Sequence, residues 1–242
     1  MITRLDVLLV NRGLVPSRGQ ARAAIEAGGV TVDGEGVTVA SRKVAEDAVL
    51  TVEAAHDYVG RGALKLAHAL DLWAVPVVGR VVLDVGASTG GFTEVCLRRD
   101  AARVYAVDVG HGQLHPRIVE DPRVVNLERT DARALDASLV PEAPGLIVCD
   151  ASFIGLAKVL PAALALAASD ADLITLVKPQ FEMESRADVG RGGVVRDAAA
   201  RADALARVVA WLEGEGWRVQ ATADSPIAGG DGNREFLLHA RR

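Results

Sequence analysis

Val81 to Thr93 reads V-V-L-D-V-G-A-S-T-G-G-F-T. Four apolar residues surround Asp84, and a run of small residues then opens. This is the pattern of a buried parallel strand entering a turn where backbone must approach a ligand closely. Gly86, Gly90 and Gly91 withdraw side chains from the place a cofactor would occupy, with Ala87, Ser88, Phe92 and Thr93 completing the loop. The spacing is not G-x-G-x-x-G, which argues against an ordinary dinucleotide site. An acid at the strand end suits a cofactor carrying positive charge better than a pyrophosphate. The plain alternative is a structural strand–turn of an α/β protein.

Working outward, Arg103–Asp108, Val124–Leu127, Leu146–Asp150, Asp172–Val177, Trp217–Thr222 and Glu235–His239 read as further strands. Helical stretches such as Leu156–Ala168 and Arg196–Glu213 lie between them. Alternation of this kind predicts a doubly wound α/β domain over residues 60–242, with ligands at the carboxyl ends of the central strands.

Three more acids are expected at those ends. Asp108 can accept both ribose hydroxyls of an adenosine. Asp131 can bond an adenine amino group or, equally, cap a helix. Asp150 ends an apolar strand, as Asp84 does, and carboxylates there are costly unless a cation or donors meet them. Several acids on one edge favour S-adenosyl-L-methionine, a sulfonium, over an anionic cofactor.

Residues 1–54 read as a separate α+β unit, joined by a linker over 55–59. Thr3 with Asp6 resembles a capping box for a first helix, and Ser17 with Gln20 for a second that ends at Gly28–Gly29. Val30–Val32, the turn Asp33–Gly34 and Val37–Val39 predict a hairpin, with another strand over Val49–Val52. Four arginines, Arg4, Arg12, Arg18 and Arg22, stand against the single acid Asp6 over residues 1–25. Such a cluster suits phosphate contacts, or a solvated helix face.

The 242-residue chain carries a net charge of -5, so any nucleic-acid contact must be local, here and around Arg61, Lys65, Arg186 and Arg191. Half the residues are hydrophobic and 4% are aromatic, so Ala, Val and Leu must pack the core. Cys96 and Cys149 sit in apolar context and read as buried thiols rather than a disulfide or metal site. No His/Cys cluster points to a metal. The first residues lack a signal-peptide pattern, and the longest apolar run, Val159–Ala168, is too short to span a bilayer. A cytoplasmic protein without stable membrane insertion, and with no obligate protein partner, is expected.

Lys178 directly follows the apolar run Leu173–Val177, where a lysine without a partner would be disfavoured. Asp150 would end the neighbouring strand. A desolvated lysine can act as a base. Lys65 and Glu235 are charged residues that could equally be solvated.

Two resemblances sharpen this reading. Arg4–Val10, Ser17–Ile25 and Gly28–Gly34 resemble the small RNA-binding domain shared by a ribosomal small-subunit protein, many pseudouridine synthases and tyrosyl-tRNA synthetases. The whole chain resembles the TlyA family of ribosomal RNA 2′-O-methyltransferases, the bacterial haemolysin A proteins, whose catalytic domain is similar to the FtsJ/RrmJ group. The matching motifs are R-G-A-L-K-L (61–66), D-V-G-A-S-T-G-G-F-T (84–93), A-V-D-V-G-H-G-Q-L (106–114), N-L-E-R-T-D-A-R (126–133), C-D-A-S-F-I (149–154), L-V-K-P-Q-F-E (176–182), G-R-G-G-V-V-R-D (190–197) and S-P-I-A-G-G-D-G-N-R-E-F (225–236).

The family implies a Rossmann-like methyltransferase sheet and a catalytic tetrad that falls on Lys65, Asp150, Lys178 and Glu235. It also implies S-adenosyl-L-methionine binding by the 84–93 loop, Asp108, Asp131 and the Asp150 region. Ribosomal RNA or ribosomal subunits become the expected partner, with cytidine the implied target and Arg4, Arg12, Arg18, Arg22 and Arg61 candidate RNA contacts. One departure is His56-Asp57-Tyr58-Val59, where the family carries a more basic Arg-x-Trp-Val. The rivals are a membrane-active haemolysin, a non-catalytic RNA-binding protein and a small-molecule methyltransferase.

Overall fold

A computed structural model describes residues 2–26, 29–52, 57–183, 189–190, 193–229 and 232–242. Gly28, His56, Arg186 and Arg191, singled out from the sequence, lie outside the described residues. Contacts divide the chain into two units, Met1–Asp57 and Tyr58–Arg242.

The first unit runs β1 (Ile2–Arg4), α1 (Leu5–Asn11), α2 (Arg18–Glu26), β2 (Val30–Val32), β3 (Glu35–Gly36), β4 (Lys43–Ala45) and β5 (Leu50–Val52). Strands β3, β2 and β5 form one antiparallel sheet, and β1 pairs with β4 in a second. Leu5, Leu9, Ile25 and Val30 are fully buried at its centre. Asp33 and Gly34 both take positive φ, as a tight two-residue hairpin turn requires.

Two expectations need correction here. The return strand is Glu35–Gly36 rather than Val37–Val39: the Val37 N–H still reaches the Val30 carbonyl at 3.0 Å, but the chain then leaves the sheet and Val37 enters the core. The capping box at Thr3 does not form, because Thr3 is in β1 opposite Val44 and the helix begins at Leu5 without a side-chain cap. Asp6 is drawn into ion pairs instead. Ser17 does accept the Gln20 N–H, at 3.3 Å.

The second unit runs α3 (Gly62–Leu72), β6 (Val81–Val85), α4 (Gly91–Arg98), β7 (Arg103–Val107), α5 (Pro116–Val119), β8 (Val124–Leu127), β9 (Leu146–Cys149), α6 (Leu156–Val159), α7 (Pro161–Leu166), β10 (Asp172–Val177), α8 (Pro179–Glu182), α9 (Ala198–Gly214), β11 (Arg218–Asp224) and β12 (Phe236–Arg241). The sheet order is β11-β12-β10-β9-β6-β7-β8, parallel from β10 to β8, with β12 antiparallel to both its neighbours. Helices cover both faces, as near-continuous apolar strands demand. α3, α4 and α5 pack with Val82 and Val104, while α6, α7 and α9 pack with Leu83 and Ile147. This is the expected doubly wound α/β sheet.

The helix expected over Leu156–Ala168 breaks at Pro161, which cannot donate to the previous turn and starts α7 instead. Cys96 and Cys149 are buried free thiols. Strand order reverses between β6 and β9, so the loops after Val85 and Cys149 open a crevice there.

Candidate active site

The loops at this crevice are pressed together. Gly86 has φ +85°, and a Cβ on it would stand 3.0 Å from the backbone of Ala151. Only glycine fits both the backbone conformation and the space. Ala87 is buried, Ser88 is exposed, and Gly90 caps α4, whose first residues Gly91, Phe92 and Thr93 are all buried. Phe92 and Thr93 therefore turn into the fold rather than outward.

Asp84 lies one residue inside β6 rather than at its end. Its side chain is fully buried, and Oδ2 accepts the Thr93 hydroxyl at 2.6 Å, tying α4 to the strand. Oδ1 has no hydrogen-bond partner among the described residues. Burial pushes this carboxyl up to about 7, with the charges of Asp150 and Asp108 adding to the effect. Asp108 follows β7; its oxygens accept the N–H groups of Ser88 (2.8 Å) and Gly110 (2.7 Å), which fixes the facing loop. Asp131 caps the short 3₁₀ turn Ala132–Ala134 and pairs with Arg133 at 2.5 Å, a contact that holds its carboxyl down at about 2.

The four residues of the implied tetrad meet at the same edge from four elements. Register pairs Val177 with Phe236, so Lys178 after β10 and Glu235 before β12 stand side by side, with Asp150 next along after β9. Lys65 reaches in from α3. They form two ion pairs: Lys178–Asp150 at 2.7 Å and Lys65–Glu235 at 2.5 Å. Lys178 Nζ also donates to the Ser152 hydroxyl at 2.8 Å and the Asp150 carbonyl at 3.1 Å. Lys65, Lys178 and Glu235 are buried; Asp150 is half-buried and Ser152 exposed, so the cluster opens at its Asp150–Ser152 side. Gly62 makes this convergence possible, since a Cβ there would stand 3.1 Å from Asp150 Oδ2.

Phe153 is 90% exposed with φ +68°, its ring 5.3 Å from that of Phe181. An exposed aromatic in a strained backbone beside a reactive cluster is a ready stacking surface.

Several contributors were not evident from the sequence. Ser152 shares Lys178. Glu128 accepts the Gln113 N–H at 2.9 Å and shapes the loop facing Ser88. Buried Glu94 accepts the Val59 N–H at 2.6 Å and pairs with Arg98 and Arg117, anchoring the start of this unit to α4. Only Ser152, two residues from Asp150, carried a local signal. The others act through loops that meet only in the fold.

Among the candidate RNA contacts, Arg4 and Arg18 both bond Asp6, Arg22 pairs with Glu26 at 2.7 Å, and Arg61 donates to the Ala228 carbonyl at 3.1 Å. Arg12 spends its donors on the carbonyls of Ala48 and Glu46, closing the loop ahead of β5.

The residues fit S-adenosylmethionine. A glycine-lined crevice edged by Asp108 and the half-buried Asp150, with the Asp84 Oδ1 unpartnered among the described residues behind it, fits a cationic ligand. Comparison with known proteins agrees: residues 58–242 match the FtsJ-like methyltransferase family and residues 3–50 the S4 domain. The 16S/23S rRNA (cytidine-2′-O)-methyltransferase TlyA of Mycobacterium tuberculosis is 47% identical over 98% of this chain and 89% of its own length. The chain belongs to the TlyA family of FtsJ-like methyltransferases. Within the TlyA family, Hemolysin A of Brachyspira hyodysenteriae is 37% identical over 98% of both chains. A solved hemolysin-named structure from Streptococcus thermophilus aligns with a TM-score of 0.78 and 36% identity over 100% of this chain and 88% of that one. Despite the haemolysin names among these TlyA-family relatives, no helix among the described residues here is long and apolar enough to cross a membrane.

Proposed function

We propose that this protein methylates the ribose 2′-hydroxyl of cytidine in ribosomal RNA, in the cytoplasm, using S-adenosylmethionine. The observation that carries the reading is the pair of buried lysine–carboxylate bridges at the carboxyl edge of the sheet, one strand from the glycine-lined crevice. When bound, the cofactor supplies an activated methyl on a sulfonium, so the protein's task is alignment of the hydroxyl and management of its proton.

Lys178 is the residue for the proton. Asp150 and Ser152 fix its Nζ at the open side of the cluster; once the ammonium has released one proton to solvent, the neutral amine would take the 2′-hydroxyl proton as the methyl's carbon–sulfur bond gives way to the carbon–oxygen bond. Lys65, held by Glu235, orients the hydroxyl and steadies its developing negative charge. Phe153 offers its exposed ring to a base. The amino-terminal unit supplies phosphate contacts through exposed arginines.

Purified protein incubated with tritiated S-adenosylmethionine and either deproteinised ribosomal RNA or intact subunits tests this. Label at cytidine 2′-oxygens is expected. Absence of label from RNA, or label confined to small molecules, contradicts it.

A further inference from the structure

Asp6 is a buried acid paired with two of the arginines of the amino-terminal unit. Its side chain is buried while those it binds are open: 5% exposed against 47% for Arg4 and 62% for Arg18. Four donors converge on it. Oδ1 accepts from Arg4 Nε at 2.9 Å and from the Val7 N–H at 3.1 Å. Oδ2 accepts from Arg4 Nη2 and from Arg18 Nη2, each at 3.0 Å. One carboxylate oxygen thus joins two guanidiniums from different elements, the end of β1 and the start of α2. Arg4 meets Asp6 with its Nε–Nη2 edge and Arg18 with Nη2. Register places the exposed Lys43 opposite Arg4.

We propose that Asp6 is a positioning residue for RNA, holding Arg4 and Arg18 as one preformed fork for backbone phosphates. Fixing two long side chains in advance removes rotamer entropy that binding would otherwise cost. The strong ion pairing, which keeps the Asp6 carboxyl down at about 2, maintains the fork at every physiological pH. The proposal rests on the reading that this surface contacts RNA.

The sign of one substitution separates positioning from simple charge. Asp6→Asn raises the net charge by one, so if Asp6 only neutralises its neighbours, RNA binding strengthens. If Asp6 positions them, binding weakens. The experiment is filter binding of the full chain to deproteinised ribosomal RNA across a salt series. Arg18→Ala is expected to weaken binding and reduce the salt slope by about one. Asp6→Asn is expected to weaken it about 3- to 10-fold, as loss of an ordered contact does.

A control excludes misfolding. In an Arg4→Ala/Arg18→Ala background, Asp6→Asn should lower affinity no further and can only raise it through its added charge, whereas a general structural defect would lower it again. Unchanged binding by Arg18→Ala overturns both the RNA reading and the proposal. Weakened Arg18→Ala with unchanged or tighter Asp6→Asn overturns the proposal alone, as does a further loss in the double-alanine background.

Discussion

Lys178 has a carboxylate, a hydroxyl and a carbonyl within 3.1 Å, which fixes its Nζ more tightly than one ion pair would. Lys178→Ala removes the proposed proton acceptor but touches none of the glycine loop. Turnover should fall at least 10²-fold, the scale of general-base loss, with cofactor affinity by calorimetry unchanged. Asp84 makes a different prediction. Its folded carboxyl titrates near 7 against 3.8 unfolded, so the fold favours the protonated form. That contribution is fully present below about pH 4 and is lost as pH rises through about 7. Denaturant midpoints at pH 5 and pH 8 should show Asp84→Asn gaining on the parent at the higher pH; parallel behaviour would refute the shift. Lys178, Asp150 and Asp84 were legible because charges beside apolar strands need a reason to be there. Lys65 and Glu235 were not distinctive alone, since each is explained only by the other across 170 residues of chain. Asp6 was visible as an acid but reads as part of a cap, because its ion pairs with the nearby Arg4 and with Arg18 on the next helix form only in the fold.

At the scale of elements, the glycine loop is held by strain as well as by contacts. Gly86→Ala would force a side chain into φ +85° and against Ala151 backbone 3.0 Å away. It should cost about 1–3 kcal/mol of stability, read from chemical denaturation, and lower cofactor affinity as well. The five parallel strands of the large sheet were legible because they are largely apolar runs, whereas the antiparallel β11 and β12 were legible with their ends displaced by one or two residues. The β1–β4 pair was not, because Ile2–Arg4 and Lys43–Ala45 are three residues each and pair across a wide sequence gap. Pro161 shows the same limit inside a helix: apolar periodicity ran through it, but its missing N–H splits α6 from α7.

For the whole molecule, a chain of net charge -5 that binds RNA must do so through a few contacts. The logarithm of affinity should fall against the logarithm of salt with a slope of magnitude about 2–4, three or four phosphates at roughly 0.7–0.9 each. A slope of about 8 or more would mean a far broader basic surface. The central claim joins the two units in one activity: the amino-terminal unit brings RNA, and the crevice methylates a ribose. Mapping 2′-O-methyl groups in ribosomal RNA treated with the parent protein or with Lys178→Ala tests it most directly. The account predicts new cytidine 2′-O-methylation with the parent and none with the variant; methylation that survives in Lys178→Ala, or ribosomal RNA left unmodified by the parent, would contradict it.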